Sequence, residues 1–317
     1  MSGQRGRRDP AAKRSGVSGR GRGGGSKSSG ARQGVRSSGG RSQPGQSGQR
    51  GGSRTDEAQR GGQRHRPDHL GGDIVEGRQA VRELLRAGRR GVEEVRVADE
   101  LGEAAVLAEI EDLATDLRVP YSVVSRRKID DLALTEHHQG VIARAAPLWP
   151  VELEELLGLD GGRIPFVLAL DGVTDPGNLG AILRTAEVVG ATGVVLPKHR
   201  AVRLSPAAVK AAAGAVEHLR IALVGGLPAA LARASDEGLW VVGLDGDSTD
   251  SVYDMRVADQ ALMLVIGAEG DGLSSLVRRR CDQVVSIPQF GHTESLNVAA
   301  ATAVACFEVQ RRRAAQS

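Results

Sequence analysis

From Phe166 onward the chain carries six short runs that are almost wholly apolar: FVLALDGV, GVVLP, LRIALV, LWVVGLD, ALMLVIGAEG and QVVSIP. A strand with one face in water alternates apolar and polar residues, whereas a run without alternation needs cover on both faces. Segments of helical character separate most of these runs, over residues 179–189, 206–216, 228–235 and 274–280. The alternation predicts an α/β fold, a mostly parallel sheet with helices packed on both sides. Such sheets bind ligands at the carboxyl ends of their strands, so the loops after the runs are where chemistry is expected.

A smaller α/β unit is expected ahead of this one, over residues 73–147. Within it RQAVRELLRAG sets Val81, Leu84 and Leu85 on one helical face and ends at a glycine suited to a C-cap. VEEVRVA, PYSVVS and QGVIARA fit strands, with helices over residues 103–117 and in RKIDDLAL. Seventy-five residues suffice for a compact domain. Residues 148–163 lie in PLWPVELEELLGLDGGR, which begins with two nearby prolines and holds a short acidic helix, the pattern of an interdomain linker.

Charge is distributed unevenly. Residues 1–69 hold 16 Lys and Arg against 4 Asp and Glu, and the rest of the chain holds 26 against 35. The first 70 residues are rich in Gly, Ser, Gln and Arg, too poor in apolar side chains to offset chain entropy, and are expected to be a disordered basic tail. Repeated Arg-Gly steps suit phosphate contact without sequence reading, so RNA is the favoured partner; a solubilising linker is the alternative. The tail lacks the apolar segment of a signal peptide, and no run in the chain is long enough to span a membrane. Cys281 and Cys306 show neither CxxC nor His spacing, which suggests no metal site and no disulfide framework. A soluble protein of a reducing, cytoplasmic compartment is expected.

Three loops carry the informative residues. After the first strand comes TDPGNLGAILRTAEVVGA, in which Asn178 has the chemistry of a helix N-cap and Arg184 lies on an otherwise apolar helix. The second loop is IGAEGDGLS. Its glycines are spaced G-x-x-G-x-G with Glu269 between them, unlike a dinucleotide fingerprint, and an acid there would repel pyrophosphate. The third is GHTESLN, leading into an alanine-rich helix. It offers a serine, a histidine and an acid, but a nucleophile elbow needs G-x-S-x-G, and Ser295 is accounted for as an N-cap hydroxyl.

Taken together, the loops resemble the three sequence motifs of the SpoU family of RNA ribose 2′-O-methyltransferases. The first supplies Asp175, Pro176, Asn178, Gly180 and Arg184; the second Gly267, Glu269, Gly272 and Leu273; the third Ile287, Pro288, Gly291, Ser295, Leu296 and Asn297. The likeness spans roughly residues 166–311, and the unit before it is similar to the small RNA-binding domain of the branch that methylates large-subunit ribosomal RNA. This resemblance implies a SPOUT-type sheet over residues 164–313 whose C-terminal segment forms a trefoil knot, an arrangement that periodicity cannot reveal. It implies S-adenosylmethionine as cofactor, held through backbone contacts at Gly267, Ile287 and Leu296. It also implies a polar catalytic set of Asn178, Arg184, Glu269, Ser295 and Asn297, and a homodimer. Ala299 stands where many relatives have serine, and Gln289 and Phe290 replace a commoner Met-containing pair.

The implied reaction moves a methyl group to a ribose 2′-hydroxyl, that of a guanosine in 23S ribosomal RNA. It needs in-line geometry and loss of the hydroxyl proton. Arg184 is either the group that assists deprotonation or one that orients a phosphate and stabilises the developing alkoxide, since free arginine hardly deprotonates. Transfer RNA is the alternative substrate. A third possibility is an adenosine modification that confers antibiotic resistance, and an inactive RNA-binding module is the non-enzymatic one.

Overall fold

The computed structural model describes residues 69–158, 162–198, 204–292 and 295–315. The basic tail expected over the first 70 residues lies almost wholly outside them.

The smaller unit is built from β1 (Ile74–Glu76), α1 (Arg78–Ala87), β2 (Val92–Ala98), α2 (Ala105–Asp116), β3 (Tyr121–Val124), α3 (Arg126–Leu132) and β4 (Val141–Ala145). Its sheet has the order β1-β4-β2-β3, with β4 antiparallel to both neighbours and β2 parallel to β3. Val95 and Val97 of β2 join Val81, Leu84 and Leu85 of α1 in one buried cluster, as the periodicity of that helix predicts.

After α4 (Glu154–Leu157) come β5 (Phe166–Leu170), α5 (Pro176–Val188), β6 (Gly193–Pro197), α6 (Pro206–Ala211), β7 (Ile221–Val224), α7 (Leu227–Asp236) and β8 (Trp240–Leu244). The chain closes with β9 (Leu262–Ile266), α8 (Ser275–Arg278), β10 (Gln283–Val285) and α9 (Val298–Ala314). All pairings in the six-stranded sheet are parallel, in the order β10-β8-β9-β5-β6-β7. From β5 the chain winds outward through β6 and β7, then returns to the other side. The strand order therefore reverses between β5 and β9, which opens a crevice at their carboxyl ends.

The unbroken apolar runs are explained by burial on both faces. Phe166, Leu168 and Leu170 of β5 enter one core with Leu264 and Ile266, while Val167 and Ala169 enter the other with Met263 and Val265. Each such side chain taken fully out of water contributes roughly 1.5–3 kcal/mol, so each strand outweighs any single polar contact at the sheet edge.

Two connections differ from expectation. The stretch taken as a linker is built into the fold: Val151 donates its N–H to Ile221, and Leu156 and Leu157 are buried under the large sheet. The helix expected over residues 206–216 stops at Ala211, because Ala213 and Gly214 adopt positive φ and a short 3-10 turn, Ala215–Glu217, follows. A Cβ at Gly214 would lie 2.4 Å from Glu83 Cβ of α1, so the close approach of the smaller unit breaks the helix.

The two sheets are parts of one compact unit among the described residues. Arg90 and Glu217 form a bidentate ion pair between them, with Nη2 to Oε1 at 2.6 Å and Nε to Oε2 at 3.0 Å, and both side chains are buried. Arg90 also donates to the carbonyls of Gly72 and Ala146. Among the described residues no helix is long and apolar enough to cross a membrane, and no group of three or more His, Cys, Asp or Glu is placed to hold a metal ion.

Candidate active site

The first loop follows β5. Asp175 caps α5, its Oδ1 accepting from the backbone N–H of Asn178 at 2.7 Å, and Pro176 sits in the first turn, where a missing N–H costs nothing. Asn178 is therefore inside the helix rather than its cap. Its side chain is left free to reach out of the helix.

The second loop follows β9 and is pinned to itself. Ala268 N–H donates to Gly272 at 2.9 Å and Gly272 N–H returns the bond at 3.1 Å. A Cβ at Gly267 would fall 2.4 Å from the Gly272 carbonyl carbon, so the glycine is required by the loop's own backbone. This adds a second reason to the close cofactor approach that the sequence suggests. Gly270 and Gly272 take left-handed conformations, with φ of 84° and 62°. Glu269 rides on this turn, exposed.

The third loop ends at Asn297, which caps α9: its Oδ1 accepts from the N–H groups of Ala299 at 2.9 Å and Ala300 at 3.3 Å. Ser295 lies before the helix and does not cap it. With the oxygen of Asn297 committed to the helix, its Nδ2 donates to Asn178 Oδ1 at 2.9 Å. Asn178 must then present its own Nδ2 outward, and this donates to Glu269 Oε2 at 3.0 Å. An amide has one accepting and one donating end, so the cap fixes the direction of the whole chain from Asn297 through Asn178 to Glu269.

Beside this chain lies a cleft of about 220 Å³. Its walls are residues 244–247 after β8, residues 266–272 after β9, Ile287 and Gln289 after β10, and Ser295, Leu296, Val298 and Ala301 at the entry to α9. Gly267, Ile287 and Leu296, expected at the cofactor, all line it, as do Ser295 and Glu269. Arg184 does not. It is exposed on α5, without a hydrogen bond or ion pair among the described residues.

The turn after β8 was not anticipated, although an acid directly after a buried strand of a parallel sheet marks a ligand edge. Asp245 is 8% exposed. Burial alone would raise its carboxyl, but hydrogen bonds from the Asp247 N–H, Arg278 and the Leu273 N–H outweigh that and hold it below the usual aspartate range. Across the crevice, Asp171 Oδ2 accepts from the Ser274 N–H at 2.8 Å. Burial pushes the thiols of Cys281 and Cys306 up to about 12, so neither offers a thiolate near neutral pH.

The cleft suits a small cation with a flat apolar part. Leu244, Ile266, Ile287, Leu296 and Val298 give apolar walls, Asp247, Glu269 and Asp271 give negative charge, and among the described residues no Lys or Arg lines it. S-adenosylmethionine, an adenosine joined through a sulfonium to the amino-acid part that bears an ammonium group, fits that donor set; a phosphate-bearing cofactor does not.

Residues 165–307 match the model of the SpoU rRNA Methylase family, and residues 74–150 match that of RNA 2′-O ribose methyltransferase substrate binding. The 23S rRNA (guanosine-2′-O-)-methyltransferase RlmB of Photobacterium profundum is 36% identical over 245 residues, which cover 77% of this chain and 99% of that protein. RlmB of Pseudomonas aeruginosa is 39% identical over 242 residues, 75% of this chain and 96% of that one. In fold, the chain is similar to the crystal structure of the SpoU methyltransferase AviRb from Streptomyces viridochromogenes with AdoMet, at a TM-score of 0.64 and 24% identity, covering 76% of this chain and 90% of that one. The chain belongs to the SpoU rRNA methylase family.

Proposed function

We propose that this protein transfers a methyl group from S-adenosylmethionine to the 2′-hydroxyl of a guanosine ribose in 23S ribosomal RNA. The observation that carries the reading is the directed chain Asn297–Asn178–Glu269, which ties three strand-end loops together at the rim of an acid-lined cleft. The names of the relatives in Photobacterium and Pseudomonas support guanosine and 23S RNA as the target.

S-adenosylmethionine, when bound, supplies a methyl carbon on a cationic sulfur, open to in-line displacement. The apolar walls at Ile287 and Leu296 and the backbone of the loop at Gly267 would hold it, with Asp247, Glu269 and Asp271 matching its charge. As the ribose oxygen bonds to the methyl carbon and the carbon–sulfur bond breaks, the hydroxyl proton must leave. A guanidinium carries five N–H donors and no acceptor, so Arg184 serves better as an anchor for the RNA phosphate and the developing oxyanion than as the base. The proton then passes to that phosphate or to water, while Asn178 and Asn297 hold Glu269 in place and Ser295 faces the cleft.

The same reading assigns residues 73–147 to RNA binding, 148–163 to the connection, 164–313 to methyl transfer and the basic tail to phosphate contact. The trefoil knot belongs to it as well, supported by the meeting of the segments after β8, β9 and β10 in one cleft. Homodimer formation is supported by Val188 and Phe307, which are exposed on α5 and α9, two helices that pack on each other. An enzyme of ribosomal RNA with these properties works in the cytoplasm.

The test is transfer of a labelled methyl group from S-adenosylmethionine to protein-free 23S RNA by the full chain, read as an alkali-resistant dinucleotide. Arg184→Ala is expected to abolish transfer and to leave RNA affinity within about threefold, as losing one phosphate contact among many would. Undiminished transfer would remove Arg184 from the reaction.

A further inference from the structure

The loop between β9 and α8 forms one wall of the cleft and also carries Glu269, so its position affects both donor and acceptor. Its first half is held by its own backbone, as Gly267 and Gly272 show. Its exit is held differently. The strands on either side of β9 each end in an aspartate, and the two carboxylates grip consecutive amides: Asp245, beyond β8, accepts from Leu273, and Asp171, beyond β5, accepts from Ser274.

Asp245 is the better anchored of the two. Its backbone N–H donates to Val285 of β10 at 2.9 Å, and its Oδ1 accepts from Asp247 at 3.0 Å. Its Oδ2 takes Leu273 and an ion pair from Arg278 of α8, and a Cβ on Gly272 would come within 3.2 Å of that oxygen. Below it, a Cβ on Gly243 would meet the Leu273 side chain at 2.5 Å. Both carboxylate oxygens are thus already engaged by the protein. The group is spent on holding the loop, although it lines the cleft.

We infer that Asp245 and Arg278 form a latch which sets the affinity for the methyl donor by fixing residues 267–273 against β8, with Asp171 holding the far side. Both are positioning residues. Their effect is exerted through the loop, so it is separable from the hydroxyl chemistry at Arg184. This inference rests on the reading of the cleft as a methyl-donor site.

Donor affinity of the full chain is measured by calorimetry with S-adenosylmethionine and, separately, S-adenosylhomocysteine, together with amide exchange at Leu273 and Ser274 in the donor-free protein. For Asp245→Asn the expected result is a loss of donor affinity of tenfold or more, with faster exchange at both amides. Arg278→Met, at a partly exposed position, is expected to lose several-fold, and Arg278→Lys to recover most of it, with turnover at saturating donor within about threefold of the parent. Folded variants that bind both compounds as tightly as the parent, or a loss equal in turnover and affinity, would overturn the latch. A parent protein that bound neither compound would instead overturn the functional reading on which it rests.

Discussion

At the scale of single residues, the site is a matter of direction. Asn178 has to accept from Asn297 and donate to Glu269 at the same time, which an amide does and a carboxylate cannot. Asn178→Asp keeps the shape, removes the donor and places a second negative charge beside Glu269. Turnover is expected to fall by at least tenfold, and by more than in Asn178→Ala, while donor affinity measured by calorimetry stays within about twofold. Equal turnover in the aspartate variant and the parent would remove the relay from the mechanism. The sequence makes these residue types legible but not their division of labour. Capping rules assign Asn178 and Ser295 to helix starts, yet Asp175 and Asn297 do that work. Pro176 was the available signal, since proline in the first helical position places the cap at the residue before it. For Ser295 there was no comparable signal, because Ser and Asn cap about equally well. The roles of Asp171 and Asp245 depend on which strands neighbour β9, a long-range property that local sequence does not carry.

At the scale of elements, the strands of the large sheet were readable because burial on both faces leaves an unmistakable composition. Helix ends and short strands were less so. β1 has three residues, too few to show a period, and the break after α6 is imposed by Glu83, 131 positions earlier in the chain than Gly214. The last helix shows how its end is secured. Hydrogen bonds from Arg311 first, and then from Arg312, outweigh the effect of burial and hold the Glu308 carboxyl at about 2, against an ordinary 4.5. A carboxyl with a depressed folded-state value stabilises the fold above its unfolded value, and the contribution is lost as pH falls toward the folded one. The melting temperature of the parent should therefore exceed that of Glu308→Gln above about pH 5, with the gap closing between pH 4.5 and about 2. A gap that did not change over that range would show that the arginines do not act through this carboxylate.

At the scale of the whole molecule, the smaller sheet is not merely strung ahead of the larger one. Arg90 and Glu217 pair in a buried setting, and one apolar cluster runs from Val75 and Leu84 to Leu179 and Val216. Removing one partner of such a pair strands a buried charge, which typically costs about 3–5 kcal/mol, so the two sheets hold each other in place. Such coupling suits an enzyme that must present one ribose of a large RNA to a small cleft. Neither the coupling nor the cleft's fourth wall after β8 was visible in local sequence patterns, since both arise where distant segments meet. Ribose methylation of 23S RNA is tested most directly by a map of 2′-O-methyl positions in total RNA from cells with and without the gene. One guanosine signal in 23S RNA is expected to disappear with the gene and to return with the parent protein but not with Arg184→Ala. An unchanged 23S map, or a loss confined to transfer RNA, would contradict it.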